Sequence, residues 1–152
     1  MEVWHSSYGI FLGQGKYAME ILKRFRMLAC KEMTTPMASN LKLLSDASSN
    51  SVDSIMYDQI ISLLIYLMNT RPKICFALST RSQFLTYPRH VHLIAVKHGL
   101  RYLKSTVDYG IKYDVNYKIN LHGYVDSDWV GNATNKKNTL GCCFTLGSCM
   151  IS

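Results

Sequence analysis

A chain of 152 residues, 48% of them apolar, suffices for one domain or for one small unit plus part of another, and is not a disordered composition. Its net charge of +7 is concentrated, because seven basic and no acidic residues lie between Thr70 and Val107. The longest apolar run, Ile60 to Met68, is nine residues interrupted by Ser62, against the roughly 20 that a membrane span requires, so a spanning helix is excluded. The basic segment suits a polyanion such as nucleic acid, or else plain solvation. Cys30, Cys75, Cys142, Cys143 and Cys149 are odd in number and lack C-x-x-C spacing, and Met1 to His5 shows no signal peptide. Reduced thiols in an intracellular setting are expected, with the compartment left open.

In chain order, Val3 and then Tyr8 to Leu12 read as short strands around the polar bend His5-Ser6-Ser7, and Gln14-Gly15 closes that unit. From Lys16 the period becomes helical, with Tyr17, Ile21, Leu22, Phe25 and Leu28 on one side and Lys23, Arg24 and Arg26 outward. Cys30 to Asn40 contains Pro36 and reads as an extended crossing segment, and Ser45 to Ser54 as an exposed, flexible loop. Three helices are expected next. Asp53 or Ser54 caps the first, whose apolar residues Tyr57, Ile60, Ile61, Leu64, Ile65, Leu67 and Met68 lie nearly all round it, which predicts a buried central helix. Thr70-Arg71-Pro72 breaks it, and the second carries Ile74, Cys75, Ala77, Leu78, Phe84 and Leu85.

Pro88 opens the third helix, which runs to about Ser105 and is plainly amphipathic. His92, Ala95, Val96, Gly99, Leu100 and Leu103 share one face, and Lys97, Arg101 and Lys104 form a row on the opposite face, with His90 on the same side. That row suits a phosphate backbone or water. After Asp108 the period falls to two: Tyr109 to Tyr113 and Ile119 to Val125 alternate as half-buried strands. Asn132 to Asn138 is a polar loop, and Cys142 to Leu146 and Met150-Ile151 read as further strands. His90, His92 and His98 lack zinc spacing, as do the C-terminal cysteines, which read as strand packing residues. Trp129 and the tyrosines read as core or sheet residues rather than base-stacking platforms.

The most pointed motif is Tyr124-Val125-Asp126-Ser127-Asp128-Trp129-Val130-Gly131, an acidic pair ending an apolar strand. A carboxylate there is held by the sheet yet meets solvent, as a divalent metal requires. Metal-dependent phosphoryl chemistry gathers several such groups around ions roughly 3.5–4 Å apart, and no Asp or Glu follows Gly131.

Taken with Gly9-Ile10-Phe11-Leu12, Gln14, Lys16-Tyr17-Ala18, Thr35-Pro36-Met37, Thr70-Arg71-Pro72, Arg101-Tyr102-Leu103-Lys104 and Asp108-Tyr109-Gly110-Ile111, that motif resembles the Pol polyprotein of copia-type LTR retrotransposons. The resembling region is the junction of reverse transcriptase and ribonuclease H. The resemblance implies an α+β fold in which residues 1–114 form the palm end and a helical thumb/connection-like unit. Residues 115–152 would then form the first strands of an incomplete ribonuclease H-like sheet. It implies that Asp126 is the first catalytic, metal-binding aspartate of an intact parent domain using Mg²⁺ or Mn²⁺, with Asp128 a regular feature of the motif and not a ligand. The remaining acidic ligands, and the polymerase aspartates of a Tyr-x-Asp-Asp hairpin, would lie outside this chain.

No metal cofactor is therefore expected for the chain alone, whose activity is expected to be absent or vestigial. The expected partner is an RNA–DNA hybrid, or another nucleic acid, held weakly and without sequence preference by Arg71, Lys97, Arg101 and Lys104, with no membrane involved. The chain departs from the family pattern at Lys73, Gly99, Ser105 and Asn132 to Cys142, as a decayed insertion would. Two other readings stay open. One is an expressed remnant acting as a non-catalytic nucleic-acid- or protein-binding module. The other is a ribonuclease H completed by a separately encoded piece.

Overall fold

The computed structural model describes residues 1–38, 50–116, 118, 120–128, 139–147 and 149–150, and it leaves out the side chains of 125–128 and 139–143. The fold is α+β, with helices and two small antiparallel sheets. Strands β1 (Glu2–Ser6) and β2 (Gly9–Gly13) form a tight hairpin. The Ser6 hydroxyl locks its turn by donating to the Gly9 carbonyl and accepting from the Tyr8 amide. Helix α1 (Gly15–Arg24) buries Ala18, Ile21 and Leu22 and starts one residue before the predicted Lys16. It ends at Phe25 with Arg26 left-handed at φ 56°. The Met27 amide then bonds the Leu22 carbonyl and the Arg26 amide the Lys23 carbonyl, which is a Schellman cap.

Helix α2 (Ser54–Leu67) starts where Asp53 caps it, its carboxylate accepting the Ile55 amide at 2.9 Å. Tyr57, Ile60, Ile61, Leu64 and Leu67 turn into the core. The expectation of burial all round is corrected: Ile55, Ile65 and Tyr66 are exposed. An apolar residue standing at the surface is ordinary, and the edge of Tyr66 packs on Tyr17 of α1. Two single 3-10 turns, Met68–Thr70 and Pro72–Ile74, carry the chain around Arg71 into α3 (Cys75–Ser82). That helix is shorter than expected, since Phe84 and Leu85 lie beyond it, and Phe84 stacks on the His92 ring at 4.0 Å. Helix α4 (His90–Ser105) buries His92, Leu93, Ala95, Val96, Leu100, Tyr102 and Leu103, the predicted face with Leu93 and Tyr102 added and Gly99 only half-buried.

The core is one cluster of α1, α2, α3 and α4 side chains, with Tyr57 at its centre, fully buried. The Tyr57 hydroxyl donates to the Arg81 carbonyl at 2.9 Å. Burial pushes its pKa up from 10.0 to about 12, partly offset by the charge of Arg81. A raised folded-state value means that folding favours the neutral phenol. The associated stability is complete below the unfolded pKa near 10 and is lost as pH rises through about 12. In Tyr57→Phe we expect that alkaline loss, about 2–3 kcal/mol in the parent, to shrink, with about 1 kcal/mol lost at neutral pH from the missing hydrogen bond. Urea unfolding at pH 7 and at pH 11, where about half of the alkaline loss has accrued, measures both.

Strand β3 (Gly110–Asp114) follows α4 and pairs antiparallel with β2, Leu12 opposite Ile111 and Gly13 opposite Gly110, giving the order β1-β2-β3. The sheet thus joins chain segments about a hundred residues apart. The second sheet runs β4 (Leu121–Asp128), β5 (Thr139–Leu146), β6 (Cys149–Met150), all antiparallel. It meets the first where the buried Cys149 thiol reaches the Lys112 carbonyl. Half of the predicted loop at Ser45 to Ser54 (residues 45–49), the Asn132 to Asn138 loop and Trp129 lie outside the described residues, as do the side chains of Cys142 and Cys143.

Gly99 sits inside α4, where a Cβ would meet only the Arg81 guanidinium at an ordinary 3.8 Å. Gly99→Ala is therefore expected to stabilise the protein by about 0.5–1 kcal/mol through helix propensity, read as a higher urea midpoint at unchanged slope.

Candidate nucleic-acid interface

The four basic residues singled out from sequence do not share one surface. Arg71 is 5% exposed. It leaves the bend between the two 3-10 turns and donates through Nη2 to the carbonyls of Val107 at 2.8 Å and Tyr109 at 3.3 Å, holding the α4–β3 link. Burial draws its pKa down, while Tyr102 and Asp108 pull it back up; a guanidinium stays charged regardless. Its neighbour Thr70 is buried too and donates to the Gln14 side chain at 2.6 Å, while Gln14 Nε2 donates to the Tyr66 carbonyl.

On α4, Lys97 is exposed and Arg101 half-buried. Lys104 is committed elsewhere, because its ammonium donates to the Cys30 carbonyl at 2.8 Å and lies 3.7 Å from Glu32. The crossing segment 27–38, made of turns and bends, explains this placement. It runs antiparallel along α4, with the Met33 amide on the Arg101 carbonyl, the Ser105 hydroxyl on the Met33 carbonyl at 2.7 Å, and His98 Nε2 on the Thr35 carbonyl at 2.9 Å. At its end Arg81, 1% exposed, donates to the Pro36 carbonyl at 2.9 Å. Lys97, Arg101 and His98 then rim a shallow cavity of about 300 Å³ together with Met27, Cys30 and Ile94. A cationic rim over a partly apolar hollow can take a phosphate with part of its sugar.

Asp126 lies in β4 opposite Gly141 of β5, at the strand position expected, and its side chain lies outside the description. Among the described residues no group of three or more His, Cys, Asp or Glu is placed to hold a metal. The histidines have other roles: His92 Nδ1 accepts the Arg89 amide at the start of α4, and His98 anchors the crossing segment. Among the described residues no helix is long and apolar enough to cross a membrane. Sequence reading missed the buried work of Arg71, Arg81 and Gln14, since a polar residue type says nothing about which carbonyl will meet it.

No protein-family model and no solved structure matches the chain. It is 38% identical over 144 residues to the retrovirus-related Pol polyprotein from transposon RE1 of Arabidopsis thaliana, covering 95% of this chain and 10% of that protein. It is 34% identical over 154 residues to the corresponding polyprotein from transposon TNT 1-94 of Nicotiana tabacum, covering 97% of this chain and 12% of that one. An uncharacterized mitochondrial protein of Arabidopsis thaliana is 38% identical over 145 residues, with 60% of its length covered. The chain thus spans about a tenth of the length of the transposon polyproteins it matches. Along nearly its whole length, the chain is homologous to a segment of retrotransposon Pol polyproteins.

Proposed function

We propose that this chain is a copia-type Pol segment from the junction of reverse transcriptase and ribonuclease H, and that its task is to grip an RNA–DNA duplex rather than to cut one. The supporting observation is the solvent-facing Lys97–Arg101 edge of α4, held in place by the segment that crosses it. We read residues 1–114 as the thumb/connection-like unit and 115–152 as the opening strands of a ribonuclease H-like domain. Asp126 is read as one ligand of a metal site completed only in an intact parent. A single carboxylate offers too few oxygens for Mg²⁺, which takes six ligands at near-ideal geometry and normally shares substrate phosphates.

Anisotropy titration of a labelled RNA–DNA hybrid, followed by incubation with Mg²⁺ or Mn²⁺, tests both halves. Salt-sensitive binding without cleavage is expected. Cleavage abolished by Asp126→Asn would replace the reading with a working ribonuclease H, and absence of binding at low salt would remove the grip.

A further inference from the structure

On α4, Ile94, Lys97, His98 and Arg101 recur at i, i+3, i+4 and i+7, which puts them on one outward stripe of the helix. Met27 and Cys30 of the crossing segment line the same hollow of about 300 Å³. Backbone bonds fix that second wall. The Met27 amide closes the cap of α1 on the Leu22 carbonyl, and the Cys30 amide bonds the Met27 carbonyl at 3.3 Å. The Cys30 carbonyl in turn accepts the Lys104 ammonium. The lining holds the cations Lys97 and Arg101 and no acidic residue, while Met27, Ile94 and Cys30 give it carbon and sulfur. The His98 ring already spends Nε2 on the Thr35 carbonyl.

Resting on the reading of α4 as a duplex grip, we propose that this hollow seats a deoxyribose in preference to a ribose, so that the chain holds the hybrid by its DNA strand. A sugar within a strand lies between two phosphates. Lys97 and Arg101 stand about one helical turn apart on the same edge, so each can take one of them. The carbon face of the sugar then packs on Met27 and Ile94. A 2′-hydroxyl is both donor and acceptor, and is what tells the two sugars apart to a protein. Turned towards the thioether of Met27 and the branched carbons of Ile94, it loses water without gaining a hydrogen bond, and that burial is penalised. The C2′ methylene of a deoxyribose gains from the same burial.

The test uses the full chain at low salt with a labelled RNA–DNA hybrid as tracer, displaced by decamers of deoxyuridine or of uridine. The two decamers share base and phosphate charge, so the electrostatic part of binding is common to both. The deoxyuridine decamer is expected to bind about fivefold more tightly. A 2′-fluorouridine decamer keeps the ribose-type pucker but has no hydroxyl to desolvate, and is expected to bind like deoxyuridine. Ile94 is 51% exposed, so Ile94→Gln leaves the core intact while its amide offers the hydroxyl a partner. In that variant the preference is expected to disappear. Equal binding of the two decamers by wild type, or a preference unchanged in Ile94→Gln, would overturn the inference and leave the grip standing. A 2′-fluoro decamer that tracks uridine would do the same, because sugar pucker would then be the cause. A bound hybrid that neither decamer displaces would also overturn the inference alone, whereas a hybrid that does not bind at all would remove the grip and this inference with it.

Discussion

Replacing Gly110 with alanine is expected to destabilise the protein by about 3 kcal/mol or more, a fall in melting temperature of about 6–12 °C for a chain of this size. Gly110 opens β3 directly opposite Gly13 of β2. A Cβ built there would stand 2.2 Å from the Leu12 carbonyl oxygen, 2.7 Å from the Phe11 ring and 3.0 Å from the Leu12 carbonyl carbon. The obstruction is backbone of the neighbouring strand, which cannot rotate aside as a long side chain would, so β2 and β3 must part. Their pairing is what ties the segment after α4 to the N-terminal hairpin. Hydrogen exchange at Ile111 and Tyr113 should therefore accelerate in Gly110→Ala while the α2 amides stay protected. Unchanged protection of β3 would mean that the strands do not pair in this register.

Neutralising the exposed edge of α4 is expected to weaken hybrid binding about tenfold or more at low salt in Lys97→Gln/Arg101→Gln, with little change in stability. Lys97 is exposed and Arg101 half-buried, and neither side chain supports the core. Lys104→Gln should matter less to binding, because its ammonium already serves Cys30 and Glu32. The ion pair itself contributes little, as surface pairs generally do. A larger loss from Lys104→Gln than from Lys97→Gln would place the contact at the other end of the helix.

How much of this was legible in the sequence depends on how local each determinant is. Helix α4 was readable because its buried face follows the helical period without interruption, and the cap at Asp53 because capping needs only near neighbours. A strand carrying Asp126 was readable from the sequence, but the half-burial its alternation implied was not met, since Leu121 to Tyr124 all stand exposed. Pairing of β3 with β2 was not readable, since nothing within either segment names a partner about a hundred residues away. Nor was the cover over Lys104, because 27–38 has no periodicity and bonds α4 mainly through backbone carbonyls that every residue carries. Arg71 and Lys97 look alike as letters, yet one is sealed against the Val107 carbonyl and the other stands in solvent. The apolar circumference of α2 misled for a related reason: Ile65 exposes its side chain without any polar signal to mark the position.

The grip on nucleic acid is tested most directly by the salt dependence of hybrid affinity. With Lys97 and Arg101 as the two phosphate contacts, log affinity should fall against log salt with a slope of about −1.8, roughly a tenfold loss between 50 and 200 mM. In Lys97→Gln/Arg101→Gln the slope should approach zero. No saturable binding at the lowest salt, or the same slope in wild type and variant, would contradict the account.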